Sequence, residues 1–219
     1  MSSEIDICNT ALSHLGDSAT VSSISPAEHS IQAEHCARFY PMARDVLLEM
    51  HEWGFATRRV SLASLVLPSG SVSTAWQYAY AVPASVARII SVLAPDSLDT
   101  AGVEFEVETL ASGSSVIYCD TGNAILRYVA RITDTTKFTP LFADALGWLL
   151  ASYLAGPLIK GDVGAAAGRE CFKVFQGQLA NAAGSDSRQR RVADHHVPSS
   201  ISARGGTGSR FRTDLRVRR

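Results

Sequence analysis

Catalytic signatures are missing from this 219-residue chain. There is no GxSxG nucleophile elbow, no HExxH zinc helix, no GxxxxGKS/T phosphate loop and no GxGxxG dinucleotide turn. The partial matches do not hold up. His51-Glu52-Trp53 lacks the second His of a zincin helix. Gly161, Gly164 and Gly168 have no preceding strand and no following Lys-Ser/Thr, and helix packing by small residues explains them better. His195-His196 lies in a tail segment, a poor place for a metal. Glu4, Glu28, Glu34 and Glu49 offer carboxylates for a glycosidase pair, but helix-surface charge is the safer account of each. No enzyme activity, cofactor or metal is therefore expected.

Cysteine is also scarce. Cys8, Cys36, Cys119 and Cys171 are far apart with no CxxC pair, which points to free buried thiols and not to a disulfide framework. Met1-Ser2-Ser3-Glu4 has neither the basic nor the apolar region of a signal peptide. The most apolar stretch, Pro140 to Ile159, contains Asp144 and Pro157 and has no one-sided basic flank. A helix buried in an assembly is expected there, without membrane insertion.

With 46% hydrophobic and 19% charged residues the chain can build a core, which excludes disorder throughout. Its charge is unevenly placed. Residues 185–219 hold nine Arg, no Lys and three Asp, a formal +6, which leaves −7 on the remainder. An acidic body with a basic tail suggests an interaction arm.

Periodicity predicts helix at both ends of the body. Ile5, Cys8, Leu12 and Leu15 recur at helical spacing before Gly16. Ser25-Pro26-Ala27-Glu28 reads as a capping box with proline at the first helical position. From it Cys36, Tyr40, Ala43, Leu47 and Met50 form a stripe that Phe39, Val46 and Trp53 widen. Pro41 predicts a kink, or a break and restart. Thr139-Pro140 opens a helix to about Leu154, ended by Pro157 and Gly161. Its Ala143, Gly147, Ala151 and Ala155 let another helix approach. A last helix, about Gly164 to Ala183, presents Phe172, Phe175 and Leu179, and the two should make a tight hairpin.

Between them lies a β-rich stretch. Val60–Leu67, Trp76–Val82, Arg88–Leu93, Val103–Thr109, Ser115–Cys119 and Ala124–Ile132 read as strands of a small antiparallel sheet or sandwich. Turns are expected at Pro68-Ser69-Gly70, Pro95-Asp96, Ser112-Gly113-Ser114 and Asp120-Thr121-Gly122-Asn123. In one strand, Glu104, Glu106 and Glu108 would share a face and Phe105 and Val107 would point inward. That row is either a solvated strand face or a surface turned to a neighbour.

Residues 185–219 carry almost no core-forming content, and Ser199 to Ser209 reads as a flexible tether. Beyond it, Phe211, Thr213, Leu215 and Val217 alternate with Arg210, Arg212, Arg216 and Arg218. An arm that adds a strand to a partner is expected, with a reach on the order of 100 Å at ~3.3 Å per residue.

Five stretches together resemble a known family. They are Ile7-Cys8-Asn9-Thr10-Ala11-Leu12-Ser13-His14-Leu15-Gly16, then Cys36-Ala37-Arg38-Phe39-Tyr40-Pro41-Met42-Ala43-Arg44-Asp45-Val46-Leu47-Leu48. Trp53-Gly54-Phe55-Ala56, Trp76-Gln77-Tyr78-Ala79-Tyr80-Ala81-Val82-Pro83 and Ala87-Arg88-Ile89-Ile90 follow. In this order they resemble the head-to-tail adaptor (connector) family of tailed bacteriophages, often called tail tubular protein A in short-tailed phages. The resemblance covers residues 5 to 92, with weaker agreement over 139 to 183. The arm and the stretch from Leu93 to Ile125 are not matched.

The resemblance implies an α+β subunit: a helical bundle from N- and C-terminal helices, an inserted antiparallel β-rich domain and an extended C-terminal arm. The divisions are 1–57, 58–136, 137–184 and 185–219. It implies a structural virion protein in the neck, assembled in the bacterial cytoplasm. Twelve copies would form a ring between the portal protein and a downstream tail or nozzle protein, and double-stranded DNA would pass through. Arg210, Phe211, Arg212, Leu215, Arg216, Val217 and Arg218 would then grip the portal, and Glu104, Glu106 and Glu108 would line the DNA channel or face a neighbouring subunit. Two other functions fit some of the residues: a virion-associated peptidoglycan hydrolase, or a nucleic-acid-binding protein acting through the Arg-rich tail. The tail lacks the interleaved aromatics and recognition helix of a sequence reader.

Overall fold

A computed structural model describes residues 2–66, 76–95, 97 and 102–189. Met1–Gln189 forms one compact unit, and residues 190–219 lie outside the described residues.

The first helix, α1 (Glu4–His14), starts where its sequence says. Ser3 Oγ accepts from Asp6 N at 3.1 Å, and the Asp6 carboxylate accepts from Ser3 N at 2.8 Å. Two orphan amides are thus satisfied. Gly16, at φ +75°, takes the left-handed position that ends the turn.

The second helix corrects two expectations. α2 (Ile31–Met50) is capped by Ser30, whose Oγ accepts from Ala33 N at 3.2 Å, and not by Ser25. Glu28 never reaches back to cap. Its carboxylate accepts from the Ser22 amide at 3.3 Å, from the Ser22 hydroxyl, and from Ser30 Oγ at 3.1 Å. The Ser25-Pro26 peptide is cis and lies in a turn bridged by Ile24 and Ala27. Pro41 does not break the helix. A mid-helix proline costs about 3 kcal/mol, but Cys36 and Tyr40 before it and Ala43, Leu47 and Leu48 after it are all locked in the core. Met50, expected in the stripe, is 44% exposed. Trp53 takes the place below it, fully buried, with Nε1 donating to Leu47 O at 2.8 Å.

α3 (Pro140–Ile159) is capped by Thr139, whose Oγ1 accepts from Phe142 N at 3.3 Å. It runs through Pro157, contrary to expectation. Proline so near a helix end removes one bond from a helix already anchored by its first turns. The stop is Lys160-Gly161, both at positive φ. Among the described residues α3 alone is long and apolar enough to cross a membrane by length and composition. Here α1, α2 and α4 (Gly161–Arg188) pack against it.

Small residues set these approaches. A Cβ on Gly147 would lie 3.6 Å from Thr10 Cγ2 of α1. On the α4 side the glycines belong to the partner: a Cβ on Gly164 would lie 2.9 Å from Ala155 O, and one on Gly168 3.2 Å from Ser152 O. The expected hairpin forms, with Phe175 buried and Leu179 partly so. Phe172, expected on the same face, is 41% exposed. α4 also continues past the expected limit at 184, to Arg188.

The segment between α2 and α3 forms two antiparallel sheets. Strands β1 (Thr57–Ser61), β2 (Tyr78–Ala81), β3 (Val86–Leu93), β4 (Gly102–Val103), β5 (Glu106–Thr109), β6 (Ser115–Cys119) and β7 (Ile125–Ala130) pair in the orders β1-β7-β3-β4 and β2-β6-β5. The chain is α+β, with helices from both ends and β-structure inserted between them.

Two strands differ from expectation. The first begins at Thr57, because Trp53 O accepts from Thr57 N at 2.9 Å and starts the strand straight from the turn. Val103–Thr109 is two strands: β4 pairs with β3 in one sheet and β5 with β6 in the other, and the chain crosses over at Glu104-Phe105. Gly113, at φ +83°, makes the expected β5–β6 turn. Pro68-Ser69-Gly70 and Asp96 lie outside the described residues.

One buried cluster runs without interruption through the helices and strands. Aromatic rings join its parts. Phe142 of α3 meets Trp53 at 4.9 Å, Phe55 at 5.0 Å and Phe138 at 4.7 Å between centroids.

The α3–α4 seam predicts opposite effects for two glycines. Gly164→Ala should cost about 1–3 kcal/mol, because the clash is with backbone. Gly177→Ala, with nothing within 4 Å, should add about 0.5–1 kcal/mol. Urea denaturation measures both. The α1–α3 seam predicts a pH effect. His14 stacks on Trp148 with centroids 3.6 Å apart and planes 8° apart. Burial holds its pKa below the ordinary 6.5, and Asp144 opposes this. The folded state therefore prefers the neutral ring. Its contribution is complete above pH 6.5 and falls as pH drops from there toward the lower folded value. His14→Gln should flatten the stability curve as pH falls below about 6.5, and an unchanged slope would refute the assignment.

Candidate functional site

The three-stranded sheet has two unlike faces. In antiparallel pairing, residues directly opposite one another share a face. Tyr80, Ile117 and Val107 lie on one face, and Tyr80 and Ile117 belong to the main core. Ala79, Tyr118 and Glu106 lie on the other, as do Val116 and Glu108. There Ala79, Val116 and Tyr118 form a small separate cluster, flanked by Leu65, Trp76 and Leu110.

The acidic row is thus a pair and a neighbour. Glu106 and Glu108 share the outer face of β5, while Glu104 precedes the strand at the crossover. All three are exposed. Glu106 is engaged: its Oε2 accepts from Trp76 Nε1 at 2.9 Å. Phe105 is partly buried against the main core. Val107 is on the core-facing side as expected but is 44% exposed, because it sits at the sheet margin. The carboxylates therefore rim an apolar, aromatic surface and do not stand on a purely solvated face. Tyr118, 1% exposed, places its hydroxyl there without a hydrogen-bond partner among the described residues.

The expected portal-gripping residues Arg210, Phe211, Arg212, Leu215, Arg216, Val217 and Arg218 lie outside the described residues, as does His195-His196. The helix end that precedes them is described. Asp186, in the last turn of α4, is 5% exposed. Both its oxygens accept from Gly54 N, each at 3.0 Å. His51 Nε2 stands 3.4 Å from Oδ2 without hydrogen-bond geometry, and its ring meets the Trp53 ring edge-on at 4.8 Å. A Cβ on Gly54 would come within 3.2 Å of Asp186 Oδ1, so any other residue would have to push the carboxylate aside.

Sequence reasoning missed this clamp. Gly54 and Asp186 are separated by 132 positions, and Asp186 carried no local signal that set it apart from the tail. The residues of the half-zincin match are used structurally: His51 faces Asp186, and Glu52 pairs with Arg127 at 3.7 Å. Among the described residues no three His, Cys, Asp or Glu gather as metal ligands. The four cysteines are free and buried. A hydrogen bond with Cys36, and then burial, push the Cys8 thiol pKa up, away from a reactive thiolate.

Compared with known protein-family models and with curated proteins, the sequence matches none.

The clamp carries a prediction. Asp186→Ala should cost about 1.5–3 kcal/mol, the range for hydrogen bonds to a charged group. Tryptic cleavage at Arg188 should also quicken as the last turn of α4 opens. Asp186→Asn, which keeps an acceptor, should lose less on both measures.

Proposed function

We propose that this protein is a subunit of a phage head-to-tail adaptor ring, held between the portal and the tail. The observation that carries the reading is the chain's order in space. Helices from both ends meet on α3, and the β-rich segment is inserted between them, as the family resemblance implies. The resembling stretches also sit at structural joints: His14 packs on α3, and Trp53-Gly54-Phe55-Ala56 links α2, β1, α3 and the end of α4.

Charge supports the same reading. A conduit must not hold the DNA passing through it, since each cation on a phosphate adds sequence-independent affinity. The +6 of residues 185–219 leaves −7 on the rest of each subunit. Twelve such copies would surround the genome's exit path. The arm's arginines present planar forks suited to carboxylates on a portal. The assembly would form in the bacterial cytoplasm and remain in the virion neck.

The test is to mix the protein with portal rings and image them by negative stain. A cap of extra density at one pole of the portal is expected. A chain lacking residues 199–219 should fold, with unchanged circular dichroism, but leave portals bare. Bare portals with the full chain would remove the adaptor reading, and normal capping by the truncated one would remove the reading of the arm.

A further inference from the structure

The three-stranded sheet has one guarded margin and one open margin. Beside β2, Leu65 N donates to Ala79 O at 2.8 Å and Ala81 N donates to Ala63 O at 3.0 Å, so residues 63–65 cover that side. At the other margin, β5 pairs only with β6 among the described residues, and all four of its residues are exposed. An open strand is a template for another strand. Which strand it admits is set by its side chains. Glu106 and Glu108 repel an acidic strand, so two β5 strands would meet like charge against like charge. The incoming strand must instead be basic.

The requirement can be made narrower. On one face the newcomer meets carboxylates at alternate positions, beside Trp76. On the other it meets Val107, uncovered at the margin. The complement is Arg-apolar-Arg in extended form. Two arginines spaced by two match two glutamates spaced by two, and the apolar residue between them turns to Val107. An arginine there can also stack on Trp76. The sequence contains this pattern twice, as Arg210-Phe211-Arg212 and as Arg216-Val217-Arg218.

We propose that β5 accepts the segment 210–218 of a second copy of this chain as an added strand. The choice of a second copy rests on the ring reading. Each chain carries both the donor segment and the acceptor edge, and such head-to-tail pairing closes into a ring where the rotation between copies permits. Positions 190–209 can span about 65 Å when extended. A body of this size has a radius of gyration of about 16 Å, so the reach extends across a neighbour. On the portal, the same segment exchanges its neighbour's carboxylates for those of the portal.

Disulfide trapping tests the pairing with full-length protein and without portal. One tagged copy carries Val107→Cys, and a differently tagged copy carries Val217→Cys or, for the other register, Phe211→Cys. The native cysteines are buried. Oxidation of the mixture with copper–phenanthroline should give a disulfide between the two tags. Glu106→Lys with Glu108→Lys on the acceptor should lower its yield about tenfold. Arg→Glu changes at 210, 212, 216 and 218 on the donor should restore it. Thr109→Cys serves as a second acceptor should Val107→Cys fold poorly. No disulfide between copies, a disulfide only within one chain, or a yield indifferent to charge reversal would overturn the proposal. Portal capping is scored separately, so an adaptor that caps portals without this pairing is recognised as such.

Discussion

Ten of the twenty residues of α3 are buried, and that helix constrains everything around it. Its apolar residues cover most of its circumference, so it has no stable position at a surface. It must be wrapped, and the wrapping comes from both ends of the chain. α1 lies against Gly147 and Trp148, the residues after α2 supply Trp53 and Phe55, and α4 folds back along Ala155. The inserted strands then have no freedom to form a separate body. Their first strand begins in the turn that holds Trp53, and their last leads through Phe138 directly into α3.

The parts of this fold that were legible are those governed by neighbours in sequence. The α1 periodicity, the Thr139-Pro140 start of α3, the hairpin of α3 with α4 and the Gly113 turn all depend on residues a few positions apart. The misreadings occurred where a distant or competing partner decided. Ser25 and Glu28 carry the pattern of a capping box, but Ser22 and Ser30 take the carboxylate. Pro157 carries the pattern of a break, but packing against the core outweighs one lost hydrogen bond; at Pro41, which allows a kink as well as a break, the helix continues.

The acidic row shows how far alternation can carry an inference. Spacing by two places Glu106 and Glu108 on one face wherever the strand is continuous, and that held for both. It could not reveal that the strand stops at Phe105 and changes sheets, because the crossover is set by pairing with β3 and β6. Nor could it reveal Trp76 beside Glu106, or Tyr118 across from it. Those neighbours turn a charged stripe into a surface with both polar and aromatic character, and only the assembled sheet brings them together.

The contact between Asp186 and Gly54 has a mechanical meaning. A pull on the chain beyond Gln189 acts first on the final turn of α4, which could otherwise unwind one residue at a time. With both carboxylate oxygens fastened to a backbone amide at the root of β1, the load passes sideways into the middle of the molecule. Hydrogen bonds must then yield together and not in succession. A joint loaded in that manner gives way abruptly instead of by degrees.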